Sequence, residues 1–212
     1  MLELRIAGRG PSRTSMFYTL TYEANAKCNA DLREMARCLS TTQSQGEMSG
    51  AKPYATYWRS SLRYFLVQYL YAAMCLEAFI YDYAAVALGD TYVQKYLDKL
   101  DLIAKWVIIP RLVLGREVSR DGQAFEYLKL IKKERDKLAH SKSRPALTEE
   151  QREKELMEYY AVVPHAVGLA DSKAGTNMGV FGQLTHILDT LKKLEKECGC
   201  MQDWWEIVEI PA

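Results

Sequence analysis

Apolar positions recur every three or four residues along most of the chain, the period of helices that bury one face. Asn29-Ala-Asp31 offers a cap for a helix over Leu32 to Leu39, and "STTQSQGEMSGAKP" behind it reads as a loop. Tyr54 to Leu88 then predicts a long helix. It carries apolar residues on most faces around Met74, Leu76, Phe79 and Ile80, as a central helix packed on several sides requires, and Gly89 ends it. Asp90 caps a third helix, Thr91 to about Val107, striped by Tyr92, Val93, Tyr96, Leu97, Leu100 and Ile103, with a bend at Pro110 and Gly115. A fourth runs from about Gln123 to His140 on Phe125, Leu128, Leu130, Ile131 and Leu138, and Pro145 stops any continuation. The last, about Met178 to Glu197, aligns Leu184, Ile187, Leu188, Leu191 and Leu194. Two runs near the start, "LELRI" and "MFYTLTYE", and "WWEIVEIP" at the end alternate with period two, which predicts strands of a small antiparallel sheet.

These elements assemble most simply as a single domain over residues 1–212, mainly α: a bundle of four or five helices with short terminal strands and a loop-rich insertion between Ser141 and Asn177. A chain of 212 residues with 49% hydrophobic composition can bury a sizeable core, which excludes a disordered or fibrous class. Gln68, Glu77 and Asp82 interrupt the apolar run Phe65 to Leu88, which therefore fits a buried helix better than a membrane span. "MLELRIAGRG" lacks the apolar centre of a signal peptide, so a cytoplasmic protein is expected. Five cysteines at 28, 38, 75, 198 and 200 lack metal-ligand spacing, and the histidines at 140, 165 and 186 stand far apart. Free thiols and no metal or cofactor are expected.

Charge changes the picture in one place. From Lys129 to Arg144 seven cations, Lys129, Lys132, Lys133, Arg135, Lys137, Lys142 and Arg144, surround His140 against only Glu134 and Asp136, in a chain of formal net charge +1. Such a cluster suits phosphate groups, although Lys and Arg also favour a helix C-terminus for its dipole alone. At roughly 100° per residue Asp136 and His140 share a face, so the carboxylate can accept an imidazole N–H. Arg135 and His140 diverge by roughly 140°. They converge only if the helix ends before His140 or a two-fold partner supplies the missing member. Arg and His without a metal suit RNA cleavage: imidazole takes the 2′-OH proton, the oxygen attacks phosphorus, and guanidinium stabilises the phosphoryl charge.

"ERDKLAHSK" resembles the Arg-x4-6-His signature of HEPN (higher eukaryotes and prokaryotes nucleotide-binding) domains, with Asp136 as the polar residue directly after Arg135. "AAMCLEAFIYDYAAVALG", "LDLIAKWVIIPRLVLG" and the helix ending in "RDKLAHSK" follow the order of elements in bacterial members, and the resemblance covers about Tyr64 to Arg144. It implies an up-and-down helical bundle, a homodimer with the motifs facing across the two-fold axis, and metal-independent ribonuclease activity in phage defence or toxin–antitoxin systems. Carried over, His140 is general base or acid, Arg135 the phosphate clamp and Asp136 the orienting residue. Glu77 is either catalytic or a buried structural partner of Arg135. Lys132, Lys133, Lys137, Lys142 and Arg144 are the expected RNA contacts. Lys142 stands where nucleotidylated HEPN toxins carry tyrosine, so control by that modification is not expected.

A second reading is a catalytically silent module of the same fold that binds nucleotide, RNA or a partner protein. A third is a toxin held by an antitoxin on the Trp204-Trp205 tail or the cationic face. His165 and His186 read as packed or solvated histidines, and "GLADSKAGTNMG" as a connector without the Gly-Lys-Ser/Thr ending of a phosphate loop. Tyr69, Tyr71, Tyr81 and Tyr83 read mainly as packing residues, with stacking on bases as the alternative.

Overall fold

A computed structural model describes residues 2–7, 12–45, 51–140, 148, 150, 179–201 and 203–209. Apart from Thr148 and Glu150, the expected insertion, with Lys142, Arg144 and His165, lies outside them, as does the connector up to Met178. The order of elements is β1 (Leu2–Ile6), α1 (Arg13–Gln45), α2 (Ala51–Leu88), α3 (Asp90–Tyr96), α4 (Leu102–Leu114), α5 (Gln123–Ala139), α6 (Val180–Cys198) and β2 (Trp205–Glu209). The fold is mainly α with one two-stranded antiparallel sheet, as the periodicity predicts.

"MFYTLTYE" is not a strand but part of α1, and the helix expected over Leu32 to Leu39 continues that same helix without a new start. The reason lies in two threonines. Thr14, Phe17, Tyr18, Thr21, Ala24, Cys28, Leu32 and Met35 are buried at helical spacing. A threonine can occupy a buried helical position when its hydroxyl has a partner. Thr21 Oγ1 donates to the Phe17 carbonyl at 2.7 Å, and Thr14 Oγ1 donates to Asp82 Oδ2 at 2.8 Å. Read as polar, both disguise the stripe.

The Thr14–Asp82 bond and contacts from Cys75 to the Thr14 carbonyl and from Cys28 to the Ser61 carbonyl set α1 antiparallel to α2. Leu76, Phe79, Ile80, Tyr83 and Ala84 are wholly buried at the centre of α2. Thr56–Leu88 has the length and hydropathy of a membrane span, and the most apolar window is 56% buried inside the bundle. The Phe79 ring lies 6.1 Å from Trp106, 5.3 Å from Trp204 and 5.2 Å from Trp205, centroid to centroid. Both C-terminal indoles are therefore buried in the core. β1 pairs with β2 in the register Leu4↔Ile207 and Ile6↔Trp205, and so joins the two ends of the described chain.

The single helix expected over Thr91 to Val107 is two. α3 stops at Tyr96, and α4 begins afresh where the Asp101 carboxylate caps the Ala104 N–H at 3.1 Å. The cap satisfies an amide that an opening turn leaves without a partner. Pro110 does not end α4. It lacks the N–H that would bond the Trp106 carbonyl, but it and Ile109 are buried against the bundle, and the helix runs to Gly115 at φ +70°.

Candidate active site

The turn between α3 and α4 faces the end of α5 across an open cleft of about 1370 Å³. Its apolar lining includes Phe17 on α1, Leu70, Ala73, Met74 and Ala78 on α2, and Leu100 and Leu102 around the start of α4. Its charged lining includes Asp98, Asp101 and Lys105 near the turn, Glu77 on α2, and Lys132, Arg135, Asp136 and His140 on α5. Residues 132, 135, 136 and 139 stand three, four and seven apart, so they share one helical face. The expected RNA contacts therefore divide. Lys132 faces the cleft, whereas Lys133 is exposed outside its lining and Lys137 pairs with Glu134 at 2.7 Å on the exposed surface.

α5 closes at Ala139, and His140 leaves the helical path with φ −115° and ψ 26° while its backbone N–H still bonds the Asp136 carbonyl. That ending resolves the roughly 140° divergence of a continuous helix. Arg135 and His140 border one cleft within a single chain.

The expected Asp136–imidazole bond is not the one formed. Lys132 Nζ donates to Asp136 Oδ2 at 2.6 Å, and Arg135 Nε stands 3.1 Å from Oδ1 in ionic contact, outside hydrogen-bonding geometry. Lys132 sits one turn back on the same face and takes the carboxylate, while the helix end turns the imidazole away. The Lys132 hydrogen bond, then the charges of Arg135, Lys132 and His140, hold the Asp136 carboxyl below the usual carboxylate range against the opposing effect of burial. Asp136 thus orients the two cations directly.

Glu77 does not pair with Arg135. Its Oε1 accepts a hydrogen bond from Lys105 Nζ, which also lies 3.9 Å from Asp98 Oδ1. The lysine side chain is only 4% exposed, while that of Glu77 is 42% exposed. Lys105 is the residue that sequence reasoning missed. A signal existed: Glu77 and Lys105 are opposite charges set among apolar neighbours in two adjacent helices, and a buried ammonium such as that of Lys105 needs a partner.

Of the remaining candidates, His186 on α6 packs edge-on to Tyr127 at 5.6 Å and takes no part in the cleft. Tyr69 and Tyr83 are buried, Tyr71 is half-buried, and Tyr81 alone of the four borders the cleft. None of the five cysteines is in a disulfide.

The cleft combines a guanidinium, an imidazole, an ammonium–carboxylate pair and an apolar floor, a set able to hold a phosphodiester and move protons beside it. No family model matches the chain, and neither a curated protein nor a solved structure matches it.

Proposed function

We propose that the protein is a metal-independent endoribonuclease of HEPN type that attacks an RNA phosphodiester with the adjacent 2′-OH. The observation that carries this reading is the end of α5, which turns His140 onto the cleft that Arg135 and Lys132 border. Arg135 contacts the phosphoryl oxygens, Lys132 adds positive charge beside it, Asp136 fixes both, and His140 transfers a proton at the reacting oxygens. DNA, lacking the 2′-OH, is not a substrate. The resemblance adds a setting, phage defence or a toxin–antitoxin pair, and a homodimer.

The test is incubation of labelled single-stranded RNA in EDTA with wild type, Arg135→Ala and His140→Ala. Cleavage by wild type that falls by about 10²–10⁴-fold without the imidazole supports the proposal. Full activity in His140→Ala overturns it.

A second reading, a silent module that binds nucleotide, RNA or a partner protein, draws on one feature. Asp136 already neutralises part of the positive charge of Lys132 and Arg135, which suits reversible binding as well as catalysis. Salt-sensitive RNA binding by a wild type that leaves every RNA intact favours it.

A further inference from the structure

Cleavage by 2′-OH attack needs two proton transfers, one from the attacking 2′-oxygen and one to the departing 5′-oxygen. Among the described residues a single imidazole, that of His140, borders the cleft. The group for the other transfer is visible on α2. Glu77 Oε1 is held by the buried Lys105 ammonium, and Oε2 has no hydrogen-bond partner among the described residues although the side chain is open to the cleft. The ion pair therefore holds the carboxylate at the cleft lining through one oxygen and leaves the other without a hydrogen-bond partner among the described residues.

We propose that Glu77 is the proton acceptor for the 2′-OH, that His140 is the proton donor to the 5′-oxygen, and that Lys105 is the positioning residue that aims Glu77. This rests on the ribonuclease reading above and makes the proton-transfer set complete within one chain. The step balances. The 2′-O–H bond breaks and its proton passes to Glu77 Oε2; the 2′-oxygen forms a bond to phosphorus; the P–O5′ bond breaks; the 5′-oxygen takes a proton from the His140 imidazolium. The products are a 2′,3′-cyclic phosphate and a 5′-hydroxyl, and exchange with water returns Glu77 to carboxylate and His140 to imidazolium.

A substrate whose leaving group needs no proton separates the roles. Uridine 3′-(4-nitrophenyl phosphate) and a short oligoribonucleotide are compared for kcat/KM. Glu77→Gln falls by about 10²–10⁴-fold on both substrates, whereas His140→Ala falls by that factor on the oligoribonucleotide and stays within about tenfold of wild type on the nitrophenyl ester. Because Glu77→Gln leaves Lys105 without its counter-charge and can impair folding, Glu77→Asp serves as a second variant. It keeps the charge for Lys105 while withdrawing the acceptor oxygen, and loses kcat with an unchanged melting temperature. Lys105→Met lowers kcat more than it changes KM, and Lys105→Arg restores much of the loss.

Undiminished activity in both Glu77 variants, with wild type active, overturns this proposal alone. Equal losses for His140→Ala on the two substrates also overturn it, since they make His140 the acceptor and call for the histidine of a second copy as donor. A wild type inactive on both substrates overturns the ribonuclease reading as well.

Discussion

Replacement of Glu195 by glutamine is expected to remove a large part of the protein's pH sensitivity. Glu195 on α6 is only 3% exposed and accepts a hydrogen bond from Trp204 Nε1 at 2.7 Å. That bond ties α6 to the segment whose indoles pack on Phe79. Burial pushes the Glu195 carboxyl from its ordinary 4.5 up to about 7, against the pull of the indole N–H groups of Trp204 and Trp205 and the positive charge of Lys192. A carboxyl raised in the folded state binds its proton more tightly there than in the unfolded chain. Its contribution to stability is therefore fully present below about pH 4.5 and is lost as pH rises through about 7. At about 1.4 kcal/mol per pH unit, that window amounts to about 3 kcal/mol.

Glutamine keeps an oxygen for the Trp204 N–H and cannot ionise. Urea unfolding followed by tryptophan fluorescence at pH 5, 6, 7 and 8 reads the difference between wild type and Glu195→Gln, in which the titrations of all other groups cancel. The variant should gain about 2.5 kcal/mol relative to wild type between pH 5 and pH 8, or roughly 5–10 °C in melting temperature for a chain of this size. A difference that stays flat across the series would refute the reasoning.

Three further outcomes follow from the same packing. Phe79→Ala should cost about 3–5 kcal/mol in denaturant unfolding, because it removes the ring around which Trp106, Trp204 and Trp205 gather. Asp101→Ala should cost about 1 kcal/mol through loss of the α4 cap, measured by thermal melting. With a thiol reagent on native protein, exposed Cys200 should label first. Cys28, pushed up to about 11 by burial, and Cys75, raised further still, should label only after unfolding, and rapid labelling of Cys75 would contradict its place in the core.

Much of the architecture was legible because strong apolar stripes survive translation into packing. Tyr54 to Leu88, Gln123 to His140 and Met178 to Glu197 anticipate α2, α5 and α6 within a few residues. Where the stripe uses polar residues it disappears, as at Thr14 and Thr21, and Met16 to Glu23 near the start of α1 reads as strand. The α3–α4 break was hidden for the opposite reason: apolar spacing runs through it, and only the Asp101 cap marks the restart. At the site, the spacing of Arg135 and His140 posed the geometric problem, and the helix end that solves it depends on one residue's backbone angles. The partner of Glu77 is a tertiary fact. Periodicity places Glu77 and Lys105 each in an apolar helix but does not say which charges meet.

The proposed reaction is cleavage of RNA through its own 2′-OH, at the α5 end and the cleft it borders. The measurement that tests it most directly is mass analysis of the ends produced from an oligoribonucleotide in EDTA, beside the same oligomer carrying deoxyribose at its cleavage position. Wild type should give 2′,3′-cyclic phosphate and 5′-hydroxyl ends, Arg135→Ala and His140→Ala none at matched times, and no enzyme should cut at the deoxyribose. Cleavage at the deoxyribose, or cyclic-phosphate ends from His140→Ala at the wild-type rate, would contradict it.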